Sequence, residues 1–169
     1  MNGLGPEGDR IVTAHPANPL TIGVISDTHG LLRPEAVEAL AGVDPILHAG
    51  DVGDPAILDR LRGIAPLTAI RGNVDVSGIC GALPATQAVD LGGRLFYLVH
   101  SLADLDISPA AAGIAAVVSG HSHRAEIRER EGVLYLNPGS AGPLRFDLPL
   151  TLAKVSVTDG VVRARILKL

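Results

Sequence analysis

Apolar residues fall along the chain in short runs that alternate between two periods. Residues 20–26, LTIGVIS, are aliphatic and β-branched over a strand's length, as expected of a buried strand. In residues 33–42, RPEAVEALAG, Pro34 stands near the start, Ala36, Val37, Leu40 and Ala41 recur at helical spacing, and Gly42 closes the run. That pattern predicts a helix. Residues 44–51 return to strand. Residues 54–64 predict a helix with Asp54 as N-cap and Pro55 at its first position, and residues 66–73 give a third strand. Strands alternating with helices imply parallel pairing through crossovers.

Beyond residue 85 the pattern changes. Residues 86–100, TQAVDLGGRLFYLVH, read as a hairpin about Gly92-Gly93. Residues 102–114 carry a helical reading and residues 115–120 a strand. Residues 125–137 form a second hairpin turning at Gly132, and residues 150–169 a third turning at Asp159-Gly160. Residues 1–19 are rich in Gly, Pro and polar side chains without periodicity, which predicts a disordered or loosely attached tail. The expected organisation is that tail followed by a single domain over residues 20–169.

Composition narrows the function classes. A chain of 169 residues buries a core without disulfides. Hydrophobic residues are 47% of it but aromatics only 2%, so the core is aliphatic and a base-stacking platform for single-stranded nucleic acid is disfavoured. A net charge of −4 argues against a large duplex nucleic-acid ligand. Cys80 is the only cysteine, so no internal disulfide forms and a reducing compartment fits. With no charged neighbour close in sequence, it reads as a small packing residue. The N-terminus lacks a signal-peptide pattern, and no run approaches the ~20 apolar residues of a membrane span. A cytoplasmic location is expected.

The polar residues concentrate where strands run out. The first strand ends in Ser26-Asp27-Thr28-His29, the second in His48-Ala49-Gly50-Asp51 and the third in Gly72-Asn73-Val74-Asp75. The first hairpin ends in His100, and the strand after it in Gly120-His121-Ser122-His123. Strand carboxyl ends form the ligand-binding rim of open α/β sheets. In an extended strand His121 and His123 would share a face. Taken singly, each group is ordinary turn or boundary chemistry. Five of the six histidines lie at these strand ends, and together the groups bring Asp27, His29, Asp51, Asn73, His100, His121 and His123 to one rim. Uncompensated carboxylates brought together repel, and divalent cations remove that penalty. Oxygen and imidazole donors without thiolate suit Mn²⁺, Fe or Zn²⁺. Seven donors are too many for one catalytic ion, whereas two ions roughly 3.5–4 Å apart use them.

The ordered series Asp27-x-His29, Gly50-Asp51, Gly72-Asn73, His100 and Gly120-His121-x-His123 resembles the calcineurin-like metallophosphoesterase superfamily. More narrowly it is similar to the small single-domain prokaryotic phosphodiesterases. Gly30 after His29, Asp75 after Val74 and Asn137-Pro138-Gly139-Ser140 support the likeness, which runs from Leu20 to the end. The resemblance implies an α/β fold, a four-layer α/β/β/α sandwich of two mixed sheets flanked by helices. It implies two divalent metal ions, Mn²⁺ by first expectation with Fe, Zn²⁺ or Ni²⁺ as alternatives. One would be held by Asp27, His29, Asp51 and His123, the other by Asp51, Asn73, His100 and His121, with Asp51 shared. Asp51, Asn73 and His100 are the implied catalytic residues, and the implied reaction is in-line attack on a phosphodiester by a hydroxide bridging the ions.

Many relatives have His after the Gly-Asn pair as general acid, where this chain has Val74; the Gly-His that often follows the preceding histidine is here Ser101-Leu102. A small phosphodiester with a good leaving group is therefore the expected substrate. His48, Asp75 and Arg145 are further candidates: His48 for hydrogen bonding a ligand or substrate, Asp75 for orienting a ligand histidine, Arg145 for meeting phosphate. The competing readings are a scaffold like the retromer coat subunit of this fold, a nuclease, and a phosphomonoesterase. A homo-oligomer stays open. The scaffold relative has lost part of its metal set, whereas every ligand position here carries a competent donor.

Overall fold

Alternating side-chain direction splits the first strand between two cores. β1 (Leu20–Ile25) sends Ile22 and Val24 to one face and Ile25 to the other. The structure, a computed structural model, describes residues 19–169, so the expected tail lies outside the described residues except for Pro19. β2 (Ile46–His48) and β3 (Leu67–Ala69) pair in parallel beside β1. β9 (Thr151–Thr158) and β10 (Val161–Lys168) extend the sheet antiparallel on the other side, in the order β10-β9-β1-β2-β3.

The second sheet has the order β4-β5-β6-β8-β7. Hairpins β4 (Thr86–Leu91) with β5 (Arg94–Val99), and β7 (Glu126–Arg130) with β8 (Val133–Asn137), flank β6 (Ile114–Val118), which pairs in parallel with β5 and β8. β7 is an edge strand, exposed throughout and mostly charged, which discourages pairing with another chain.

Apolar side chains from both sheets, including Val24, Leu47, Phe96, Leu98 and Val118, meet in the central layer. α1 (Pro34–Ala39) and α2 (Pro55–Arg62) cover the outer face of the first sheet through Ala36, Ile57, Leu58 and Leu61. Asp54 caps α2 as expected, its carboxylate accepting the Ala56 N–H at 2.8 Å. Cys80, on α3 (Gly78–Gly81), packs into this core, where burial pushes its thiol pKa up, as befits an inert residue.

The outer face of the second sheet is covered differently from the helical reading of residues 102–114. A 3-10 helix, Leu102–Asp104, lays Leu102, Leu105 and Ile107 over Tyr97, Val99 and Val117. Leu105 is already extended, and a proline at position 109 disfavours the helical region for the residue before it. After it comes a single turn, Ala112 N–H to Ser108 carbonyl at 2.9 Å, ended by Gly113. In place of the predicted helix the segment forms two short turns, the first ended at Leu105 and the second starting at Ser108 beside Pro109.

Candidate metal centre

The loops after β1, β2, β3, β5 and β6 converge at one end of the two sheets. Asp27 is fully buried, and its Oδ1 lies 3.3 Å from His123 Nε2 and 3.8 Å from His29 Nε2. The His29 and His123 Nε2 atoms are 3.2 Å apart. Asp51 Oδ2 lies 3.7 Å from His29 Nε2 and 3.3 Å from His100 Nε2, so one oxygen faces both sides of the cluster. His121 sits against the His100 ring, centroids 5.3 Å apart, while its backbone N–H donates to Asp27 Oδ2 at 3.1 Å. Asn73 is exposed at the rim and lines a cleft with His100, Arg71 and Thr86. All seven expected donors thus lie at this end. Asp27, His29 and His123 form one tight group, and Asp27, Asp51 and His100 another.

His121 and His123 reach the cluster by a route other than strand alternation. β6 ends at Val118, and both histidines sit in the left-handed backbone region, φ 69° and 59°. Their rings diverge, one to His100 and the other to His29. Asp27, His29 and Asp51 are left-handed as well, with φ of 55°, 44° and 56°. Non-glycine residues adopt this region at a cost, and such strain gathers at functional sites.

Two close approaches explain glycines in the loops. A Cβ at Gly72 would overlap the Asp51 carboxylate, and one at Gly120 would overlap Ser26 Oγ and the Asp27 carboxylate. The loops carrying the donors touch backbone to side chain.

The electrostatics suit a cation. Burial pushes the Asp27 carboxyl up from its ordinary value. Burial also opposes ionisation of Asp51, yet the adjoining His100 ring and the Val74 amide, 3.0 Å from Asp51 Oδ1, outweigh it and hold the pKa down at about 2. For His100, burial is overcome by Asp51 and the Ala49 carbonyl, so its pKa rises. Burial lowers those of His29 and His123, and the Arg145 guanidinium adds to this. His100 Nδ1 lies 2.7 Å from the Ala49 carbonyl oxygen and donates to it. In a neutral ring that leaves the Nε2 lone pair facing a carboxylate, the tautomer found in metal-ligating histidines. Asp27 Oδ1 and His100 Nε2 are buried without a hydrogen-bond partner; so is His123 Nδ1, on the edge of its ring away from the cluster, which His123 faces through Nε2. Buried polar atoms are ordinarily paired, and acceptors facing one another are what a divalent cation would satisfy. The donor set fits metal.

The remaining candidates separate. His48 is fully buried; its Nδ1 accepts the Gly50 N–H at 3.2 Å and its Nε2 bonds Thr28 Oγ1 at 2.9 Å, so both ring nitrogens are used inside the protein. Asp75 reaches no histidine hydrogen bond either. Its carboxylate accepts the N–H groups of Val52, Gly53 and Gly72 at 3.0, 2.9 and 2.9 Å, tying the Asp51 loop to the Asn73 loop. Arg145 is exposed, and its positive charge helps lower the pKa values of His29 and His123. The Asn137–Ser140 turn does pack here: Asn137 Nδ2 donates to the Gly120 carbonyl at 2.7 Å, and Ser140 Oγ to the Asp27 carbonyl at 3.0 Å. The sequence reading passed over Phe146, whose ring stands edge-on to His123 at 5.9 Å. An aromatic in a polar loop of a chain with only two phenylalanines was the available signal.

The sequence pattern of the calcineurin-like phosphoesterase superfamily domain matches residues 20–160. A probable metallophosphoesterase of Methanocaldococcus jannaschii is 33% identical over 153 residues, 83% of this chain and 77% of the relative. Another, of Methanothermobacter thermautotrophicus, is 37% identical over 134 residues, 72% and 77% of the two chains. Among solved structures, an archaeal phosphodiesterase superimposes with a TM-score of 0.75 at 21% identity, covering 88% of this chain and 99% of that one. Vacuolar protein sorting 29 of Cryptosporidium parvum gives 0.73 at 20% identity, covering 89% and 98%. These last two establish likeness of fold, the expected pair of mixed sheets.

Proposed function

The chain belongs to the calcineurin-like phosphoesterase superfamily, and from that premise we propose that it is a metal-dependent phosphodiesterase. Asp27, His29, Asp51 and His123 would hold one divalent cation, and Asp51, Asn73, His100 and His121 a second. Bound there, the cations supply Lewis-acid activation of a water nucleophile and neutralise charge on the phosphoryl group. Mn²⁺ is the first choice, with Fe, Zn²⁺ or Ni²⁺ as alternatives for an oxygen and imidazole set. The observation that carries the reading is Asp51 Oδ2, within 3.7 Å of His29 Nε2 and 3.3 Å of His100 Nε2, the place of a shared ligand.

The chain's own groups set the rest. The Asn73 amide, exposed on the rim beside His100, donates to a phosphoryl oxygen as substrate settles. Val74, 47% exposed beside it, has no proton to give, so the leaving group departs unassisted by that side chain. Diesters with stable leaving anions, such as aryl esters, are favoured. A small substrate is proposed, acted on in the cytoplasm; among the described residues no helix is long and apolar enough to cross a membrane.

Hydrolysis of bis(p-nitrophenyl) phosphate by the purified chain with added Mn²⁺ tests this, alongside p-nitrophenyl phosphate and simple dialkyl phosphates. The expected order is aryl diester well above monoester and alkyl diester. Equal rates on alkyl and aryl diesters would contradict the leaving-group argument. No hydrolysis with any of the four metals would favour a protein-binding scaffold, the second reading, which the fold likeness to vacuolar protein sorting 29 supports.

A further inference from the structure

We propose that Phe146 binds substrate, its ring taking the face of an aryl or heterocyclic group esterified to the phosphate, so that the site selects aromatic phosphodiesters. The proposal rests on the diesterase reading and deepens it.

Backbone conformation points to Phe146. Among the described residues, nine non-glycine residues have positive φ. Five are the expected metal donors already described. Glu131 and Asp159 open hairpin turns of the Glu-Gly and Asp-Gly kind, where left-handed residues belong. The remaining two are Phe146 and Asp147, at φ 56° and 53°. They are the central pair of a turn closed by the Leu148 N–H on the Arg145 carbonyl at 3.1 Å. Positive φ at both central positions is the preference of Asn and Gly, and a bulky ring there is an outlier. The turn carries the ring to the side of His123, one of the expected metal ligands.

The position serves no core. Phe146 is 77% exposed, whereas Phe96, the only other phenylalanine, is fully buried. One contact is defined, the edge-to-face approach to His123 at 5.9 Å, which leaves most of the ring open to solvent. A side chain present only to prop His123 would be covered. The loop beneath is anchored to the first donor loop: the Ala141 N–H donates to the Ser26 carbonyl at 3.1 Å, and Arg33 Nε to the Gly142 carbonyl at 2.9 Å. Leu144, 63% exposed, widens the apolar surface, and Arg145 brings positive charge for the phosphate. An exposed aromatic next to a cation beside a hydrolytic centre matches one ligand class, a phosphate anion with an aromatic substituent.

Calorimetric titration of the full chain in the presence of Mn²⁺ with diphenylphosphinate and with diethylphosphinate, whose P–C bonds do not hydrolyse, tests this without turnover. The wild type should bind the diphenyl compound about tenfold more tightly. Phe146→Leu should shrink that gap to about twofold and Phe146→Tyr should restore it, both with unchanged metal content. Equal wild-type affinities, or an undiminished gap in Phe146→Leu, would overturn the proposal. Loss of metal from Phe146→Leu would also overturn it, making Phe146 a prop for His123. A chain that cleaves no diester yet keeps the binding contrast would refute the diesterase reading and spare the aromatic subsite.

Discussion

Replacing Asp75 with asparagine removes a clamp whose worth can be worked from its hydrogen bonds. The carboxylate is buried and accepts three backbone N–H groups, with Val52 and Gly72 on Oδ2 and Gly53 on Oδ1. Asparagine keeps one oxygen. If its NH₂ takes the Oδ1 position, one N–H is stranded; if it takes the other, two are. A stranded buried donor costs roughly 1–3 kcal/mol, and the surviving bonds lose their charge assistance. The expected loss is about 3 kcal/mol, a sizeable part of the ~5–15 kcal/mol typical of a domain but compatible with folding. Urea denaturation of the metal-free protein reads it directly. Because Val52 and Gly53 follow Asp51, and Gly72 precedes Asn73, metal affinity should fall further than in an equally destabilised core variant such as Leu61→Ala. Asp75→Asn stability within about 0.5 kcal/mol of wild type would refute the clamp. Unaltered metal affinity would refute its link to the donors.

Two further outcomes follow from the same geometry. Burial above all lowers the His48 pKa to about 4, against 6.5 unfolded, so the neutral ring stabilises the fold fully above pH 6.5 and that contribution is lost as pH falls towards 4. The stake is about 3 kcal/mol, and His48→Asn should flatten the fall in urea midpoint between pH 7 and 4; an equally steep fall would contradict the assignment. Gly72→Ala drives a methyl into the Asp51 carboxylate and should cost about 1–3 kcal/mol of stability and most of the metal affinity, read by metal titration, with wild-type affinity as the contrary result.

Turn chemistry made much of the fold legible. Gly92-Gly93, Gly132 and Asp159-Gly160 each mark a hairpin that forms where the pattern puts it, since few other residues tolerate the left-handed turn. The donor types and their places at strand ends were also readable, because apolar runs locate the rim. How the donors get there was not. His121 and His123 depend on left-handed loop geometry fixed by neighbours such as Asn137, which no local period records. Asp75 and His48 sit on the rim in sequence yet point into the protein, satisfying the Val52 and Gly53 amides and the Thr28 hydroxyl, all contributed by distant segments. Apart from being an aromatic in a polar loop, Phe146 carries no local signal in the sequence, because its place depends on a turn conformation and an approach to His123, 23 positions away.

Metal analysis of the purified protein, wild type beside Asp51→Ala, tests the shared carboxylate most directly. Two divalent ions per wild-type chain are expected, and in the variant the loss of at least one ion together with diester hydrolysis. Two ions retained by Asp51→Ala with cleavage intact would contradict it.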